Sequence, residues 1–131
     1  MWYWFYIFTT CSLIPIMLIG LGTLFMHKPP KKINKFIGYR TRMSQKNNET
    51  WVFAHKYCGK IWQVTGLWLL PIIFALMLWL KESSDETLGI VGTVICSLEL
   101  IPLVLSVALT ELALRKQFYN DGTPRKNGDK K

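Results

Sequence analysis

Acidic side chains are scarce in this sequence and missing from its most basic stretch. Lysine and arginine together number 16 against 8 aspartates and glutamates, and no acid occurs between His27 and Asn48. Histidine is limited to His27 and His55, and cysteine to Cys11, Cys58 and Cys96. An odd number of widely spaced cysteines gives neither a disulfide framework nor a zinc spacing. There is no HExxH, glycine-rich phosphate loop or nucleophile elbow. His55 and Cys58 are close in sequence but have no third orienting group, so no thiol enzyme is expected. The chain also has no internal repeat and no strand-like alternation. These absences point away from an enzyme, a cofactor and a bound metal.

What the chain has in abundance is apolar sequence. Half of its residues are hydrophobic and 14% are aromatic, while 18% are charged. The charges are segregated, which argues against a water-soluble globule. The formal net charge of +8 does not indicate nucleic-acid binding, because the basic residues flank apolar runs as they do in membrane proteins. Trp2 to Met26 carries no formal charge and is long enough to span a bilayer at about 1.5 Å per residue. Its aromatic start, Trp2 to Tyr6, suits the membrane–water interface, and the lack of a basic residue there disfavours a cleaved signal peptide. Pro15, Gly20 and Gly22 are places for a kink or for close approach by a neighbour. Cys11 and Cys96 lie inside apolar runs and read as small packing residues.

The first loop contains Lys28, Lys31, Lys32, Lys35, Arg40, Arg42 and Lys46, and Pro29-Pro30 ends the helix before it. Asn47 or Asn48 should cap the next helix, with Glu49 at its positive end. Trp51, Ala54, Cys58 and Ile61 share an apolar face, so an amphipathic start leads into the second span, 61–80. Trp62 and Trp79 mark its two interfaces. A short acidic loop, Lys81 to Glu86, connects it to an antiparallel third span, 88–109. The expected fold is therefore all-α, with three transmembrane helices in one domain, 1–118, and a disordered basic tail, 119–131. The distribution of bases puts the N-terminus outside and the first loop and C-terminus in the cytoplasm.

Two polar seams interrupt the lipid-like sequence. On the third span, Gly92, Cys96, Glu99, Ser106 and Thr110 follow helical spacing, and Glu99 lies about 17 Å deep. A carboxylate at that depth costs at least about 2.5 kcal/mol. It is either a proton, cation or ligand site, or a protonated packing residue. On the second span, His55, Gly59, Gln63 and Gly66 form a matching seam, which is expected to face the first.

The segment Ile37-Gly38-Tyr39-Arg40-Thr41, followed by Ser44, Asn48, Trp51, Ala54, Gly59 and Gly66, resembles the SdpI/YfhL family of small bacterial membrane proteins. That resemblance implies immunity to a secreted, membrane-active peptide toxin by binding or blocking. In the family's named member it also implies signalling through a repressor held at the membrane. It implies roles for Gly38, Arg40, Thr41, Ser44, Asn48 and Trp51. Arg40 is expected to hold the turn through helix-end carbonyls or phosphate headgroups, and Trp51 to anchor the returning helix at the interface. His55, Gln63 and Glu99 are added from the residue reading. The expected partners are membrane lipids of a bacterial cell membrane, a peptide toxin or membrane-protein partner, and further copies of the chain. Two alternatives stay open: a small oligomeric transporter or channel subunit using Glu99, and a scaffold for another membrane protein.

Overall fold

The computed structural model describes residues 1–127. It contains three helices, α1 (Trp2–His27), α2 (Asn48–Trp79) and α3 (Asp85–Gln117), and no named strand among the described residues. Each helix is long and apolar enough to cross a membrane. Many large apolar side chains point outward along them, among them Leu13, Met17, Leu67, Trp68, Ile101 and Val104. In water these would be an aggregation liability, whereas hydrocarbon accepts them without cost.

With lipid outside, packing inside depends on how closely the backbones approach. At the crossing of α1 and α2, a Cβ on Gly22 would lie 2.6 Å from the Gln63 amide nitrogen and from the Gly59 carbonyl oxygen. One on Gly59 would lie 2.7 Å from the Gly22 oxygen, and one on Gly66 would lie 2.7 Å from the Pro15 oxygen. Gln63 Nε2 donates to Thr23 Oγ1 across this interface at 3.0 Å. The glycine seam of α2 therefore faces α1, not α3 as the sequence reading expected. Three glycines make the close crossing, and a glycine face packs against whichever helix can come nearest.

The seam of α3 divides between both neighbours. Gly92 packs against Ile7 of α1, and Cys11 Sγ lies 3.7 Å from Cys96 Sγ. Further along, Ser106 Oγ accepts the indole N–H of Trp62 at 2.8 Å. At the far end of the bundle Trp4 Nε1 donates to the Met77 carbonyl at 2.8 Å, tying the start of α1 to the end of α2. Trp4, Ile7, Met77, Leu80, Leu88 and Ile95 form one apolar cluster there. Tyr39, Met43, Ala54, Cys58, Leu114 and Phe118 form a second beneath the 28–47 loop.

Part of the tail expected to be disordered has a defined turn. Tyr119 N–H donates to Thr123 O at 2.8 Å, Gly122 has a positive φ of 88°, and Arg125 N–H donates to Gln117 O at 2.8 Å. Asp121-Gly122 is a tight-turn pair, and Asn47 Nδ2 fixes it by donating to Gly122 O at 2.6 Å. The remainder of that tail, 128–131, lies outside the described residues.

Gly20 has open space around its Cβ position, unlike Gly22 and Gly59. Gly22→Ala and Gly59→Ala should each destabilise the bundle by about 1–3 kcal/mol through overpacking. Gly20→Ala should be neutral or stabilising. Thermal unfolding of the three variants in one detergent checks this, and equal effects would contradict it.

Candidate functional site: a loop clasped onto the second helix

The first turn of α2 is closed on itself. Asn47 Oδ1 accepts from Thr50 N–H at 2.9 Å, and Thr50 Oγ1 accepts from Asn47 N–H at 3.1 Å. This reciprocal cap satisfies two amides that a helix start leaves unpaired. Asn48 is the exposed first helical residue and Asn47 is the cap. Thr50 is fully buried, and its hydroxyl lies 3.1 Å from the Ser44 carbonyl oxygen, so the cap also holds the loop.

Upstream, Ser44 and Thr41 form a second reciprocal pair. Thr41 N–H donates to Ser44 Oγ at 2.9 Å, and Ser44 N–H donates to Thr41 Oγ1 at 3.2 Å. Ser44 Oγ also lies 3.1 Å from the Tyr39 carbonyl oxygen. Such side-chain turns need small hydroxyl residues at this spacing.

His55 joins the two halves. Its ring is fully buried in the second turn of α2. Nε2 accepts Tyr39 N–H at 2.9 Å, and Nδ1 faces the Trp51 carbonyl at 2.7 Å. These partners assign the proton to Nδ1 and leave the imidazole neutral. Gly38 is required because it has φ 110° and because a Cβ there would lie 2.1 Å from Nε2. Trp51, at 0% exposure, donates its indole N–H to the Pro30 carbonyl at 2.8 Å. Expected as an interface anchor, Trp51 is instead an interior strut between the exit of α1 and the start of α2.

Tyr39 carries the clasp to α3. Its hydroxyl is 3.0 Å from Glu111 Oε1 and 3.1 Å from the Val107 carbonyl oxygen. Burial, with the Glu111 carboxyl beside it, pushes the phenol well above its ordinary pKa, so it remains a hydrogen-bond donor. Arg40 is exposed and donates to the Lys35 carbonyl, a local loop contact and not a helix-end one.

The structure therefore brings Thr41, Ser44, Trp51 and His55 into one hydrogen-bonded unit through Tyr39, with Gly38 packed against the His55 ring. Gln63 lies deeper, on the α1 interface, and Glu99 belongs to a different region. Glu99 is 2% exposed and neither of its carboxyl oxygens has a hydrogen-bond partner. Toward the N-terminal halves of α1 and α3 lies a groove of about 550 Å³ lined by Tyr6, Thr10, Gly92, Thr93 and Ser97 among others. Sequence reasoning missed Thr50, Tyr39 and Glu111. The Asn47-x-x-Thr50 spacing could have revealed the first, but nothing local marks the contact from Tyr39 to Glu111.

The SdpI/YfhL protein family model matches residues 31–109, more than half of the chain. The chain belongs to this family. It is also similar to the uncharacterized protein YfhL of Bacillus subtilis (strain 168), with 37% identity over 51 residues. That match covers 39% of this chain and 46% of the relative, so the chain spans about half the length of the curated relative it matches. No solved structure matches. The family region includes the clasp residues from Gly38 to His55, both close-packing glycines of α2, and most of α3, while the clasp partners Pro30 and Glu111 fall just outside it. With three apolar helices, this SdpI-family chain is a multi-pass membrane protein.

Replacing His55 with Leu removes the acceptor of Tyr39 N–H, and Gly38→Ala pushes the loop off the ring. A lost buried hydrogen bond costs about 1–3 kcal/mol, so both variants should open the loop roughly tenfold or more often. Amide hydrogen exchange over 38–46 in detergent reads this. Unchanged exchange there in both variants would contradict the clasp.

Proposed function

We propose that this protein is an immunity-type protein of a bacterial cytoplasmic membrane that protects against a membrane-active peptide by binding it or blocking its assembly, without catalysis. The observation that carries the reading is membership of the SdpI/YfhL family across residues 31–109. In this reading the basic 28–47 loop and the C-terminus are cytoplasmic and the N-terminus is outside, following the excess of lysine and arginine in the loop.

The groove between α1 and α3 supports a peptide-binding role. It opens toward lipid, and its apolar wall carries the hydroxyls of Thr10, Thr93 and Ser97, which donate to their own helices and keep lone pairs to accept from a ligand. A membrane-inserted peptide helix has apolar side chains for that wall and polar ones for these hydroxyls. The clasp would act as a brace for the bundle and not as the ligand-binding part.

Glu99 favours a second reading, an oligomeric transporter or channel subunit. A buried carboxyl with both oxygens unpartnered is where a proton or cation would be held within a membrane. Three helices enclose no pathway, so this reading requires several copies.

Expression in a toxin-sensitive strain should raise the peptide concentration that cells survive. Thr93→Trp and Ser97→Trp, which fill the groove from exposed positions, should abolish protection while the protein still inserts. Full protection by both variants would remove the groove, and no protection by the wild type against a broad peptide panel would remove the immunity reading. Proton or cation flux in proteoliposomes that Glu99→Gln abolishes would establish the second reading instead.

A further inference from the structure

Where α3 leaves the apolar part of the bundle, its last turns meet the 28–47 loop around a cavity of about 290 Å³. The wall contains Arg42 and Lys46 from the loop, Arg115 from α3 and Asn120 from the turn after it, with Glu111 and Met43 beside them. Three cations against one acid leave the lining with a net charge of +2. None of the three has an ion-pair partner among the described residues. Glu111 is already engaged by the Tyr39 hydroxyl at 3.0 Å. The exposed Asp121 lies within electrostatic range of Lys46, but it receives hydrogen bonds from Thr123.

We propose that this cavity binds the phosphate of an anionic phospholipid headgroup. Depth is the first reason. The apolar run of α3 ends near Leu109, so Glu111 and Arg115 lie roughly 3–9 Å beyond it at 1.5 Å per residue. That is the headgroup layer on whichever side the loop faces. The second reason is chemistry. Two guanidinium groups, an ammonium and a side-chain amide converge from three segments. Guanidinium groups bind phosphate oxygens in pairs, and basic pockets at the ends of membrane helices suit anionic lipids. The third is construction. The loop side of the cavity is held by the clasp, through Tyr39 on α3 and Ser44 against Thr41. The far side is held by Asn47 on Gly122 and by Arg125 Nε, which donates to the Arg115 carbonyl at 3.0 Å. The cations are thus presented on a fixed frame, although their own side chains remain exposed.

The inference rests on the membrane placement of the chain and not on the immunity reading, so either can fail without the other. The test uses the full chain in nanodiscs of phosphatidylcholine, with and without phosphatidylglycerol. Phosphatidylglycerol should raise the melting temperature of the wild type by several degrees, and native mass spectrometry should show the lipid retained. The double variant Arg42→Gln/Arg115→Gln should lose that increment and retain about tenfold less lipid, while melting like the wild type in phosphatidylcholine alone. If that variant melts lower in phosphatidylcholine, the exposed single change Lys46→Gln takes its place and should lower retention severalfold. Lys31→Gln/Lys32→Gln, which removes the same charge elsewhere on the loop, should leave the increment intact. An equal loss in that control would show only general attraction and would overturn the site. Unchanged retention by the cavity variants would overturn it too. If inorganic phosphate in the phosphatidylcholine discs reproduces the increment, the pocket is a free-anion site and the lipid assignment is wrong.

Discussion

One imidazole sets the distance between the 28–47 loop and α2, alongside the Trp51–Pro30 and Thr50–Ser44 contacts. His55 takes a backbone N–H from Tyr39 on one nitrogen and faces a carbonyl of its own helix with the other. Because both ring nitrogens are engaged and the ring is buried, the loop must pass at one distance from α2. Only glycine can occupy position 38 at that distance. The Thr41–Ser44 turn and the Asn47–Thr50 cap then determine where the chain enters the helix. A basic loop that would otherwise be solvated becomes a rigid cover on one end of the bundle.

The membrane-embedded part obeys a different constraint. Lipid is as apolar as the side chains that face it, so burial of apolar area contributes little to helix association there. What remains is contact between backbones, which Gly22, Gly59 and Gly66 permit, and isolated polar bridges such as Thr23–Gln63 and Trp62–Ser106. Glu99 stands out against this economy. It is buried with its oxygens unpaired, whereas the buried hydroxyls around it along α3, Ser106 and Thr110, bond to their own helix.

Much of this was legible before the structure. Three long charge-free or nearly charge-free runs require three helices, and the distribution of lysine and arginine locates the loop. The motif residues were named from the family resemblance, and the structure supplies their local chemistry: Gly38 for its backbone, Thr41 and Ser44 for their hydroxyls. Partnership between helices was not legible. A glycine face on α2 shows that some backbone comes close, but not which, and α1 with its own Gly22 fits more closely than α3. Trp51 illustrates the same limit. An indole at a helix start beside a basic loop suits an interface, and only the position of Pro30 across from it turns the ring inward. The turn at Asp121-Gly122 carried a local signature, but a polar, charged composition concealed it.

The account depends most on the state of the His55 ring. Solid-state nitrogen NMR of labelled protein in lipid bilayers reads it directly. The expected result is a neutral ring protonated on Nδ1, with coupling through the hydrogen bond between Nε2 and the Tyr39 amide nitrogen. A ring protonated on Nε2, or on both nitrogens at neutral pH, would contradict the clasp.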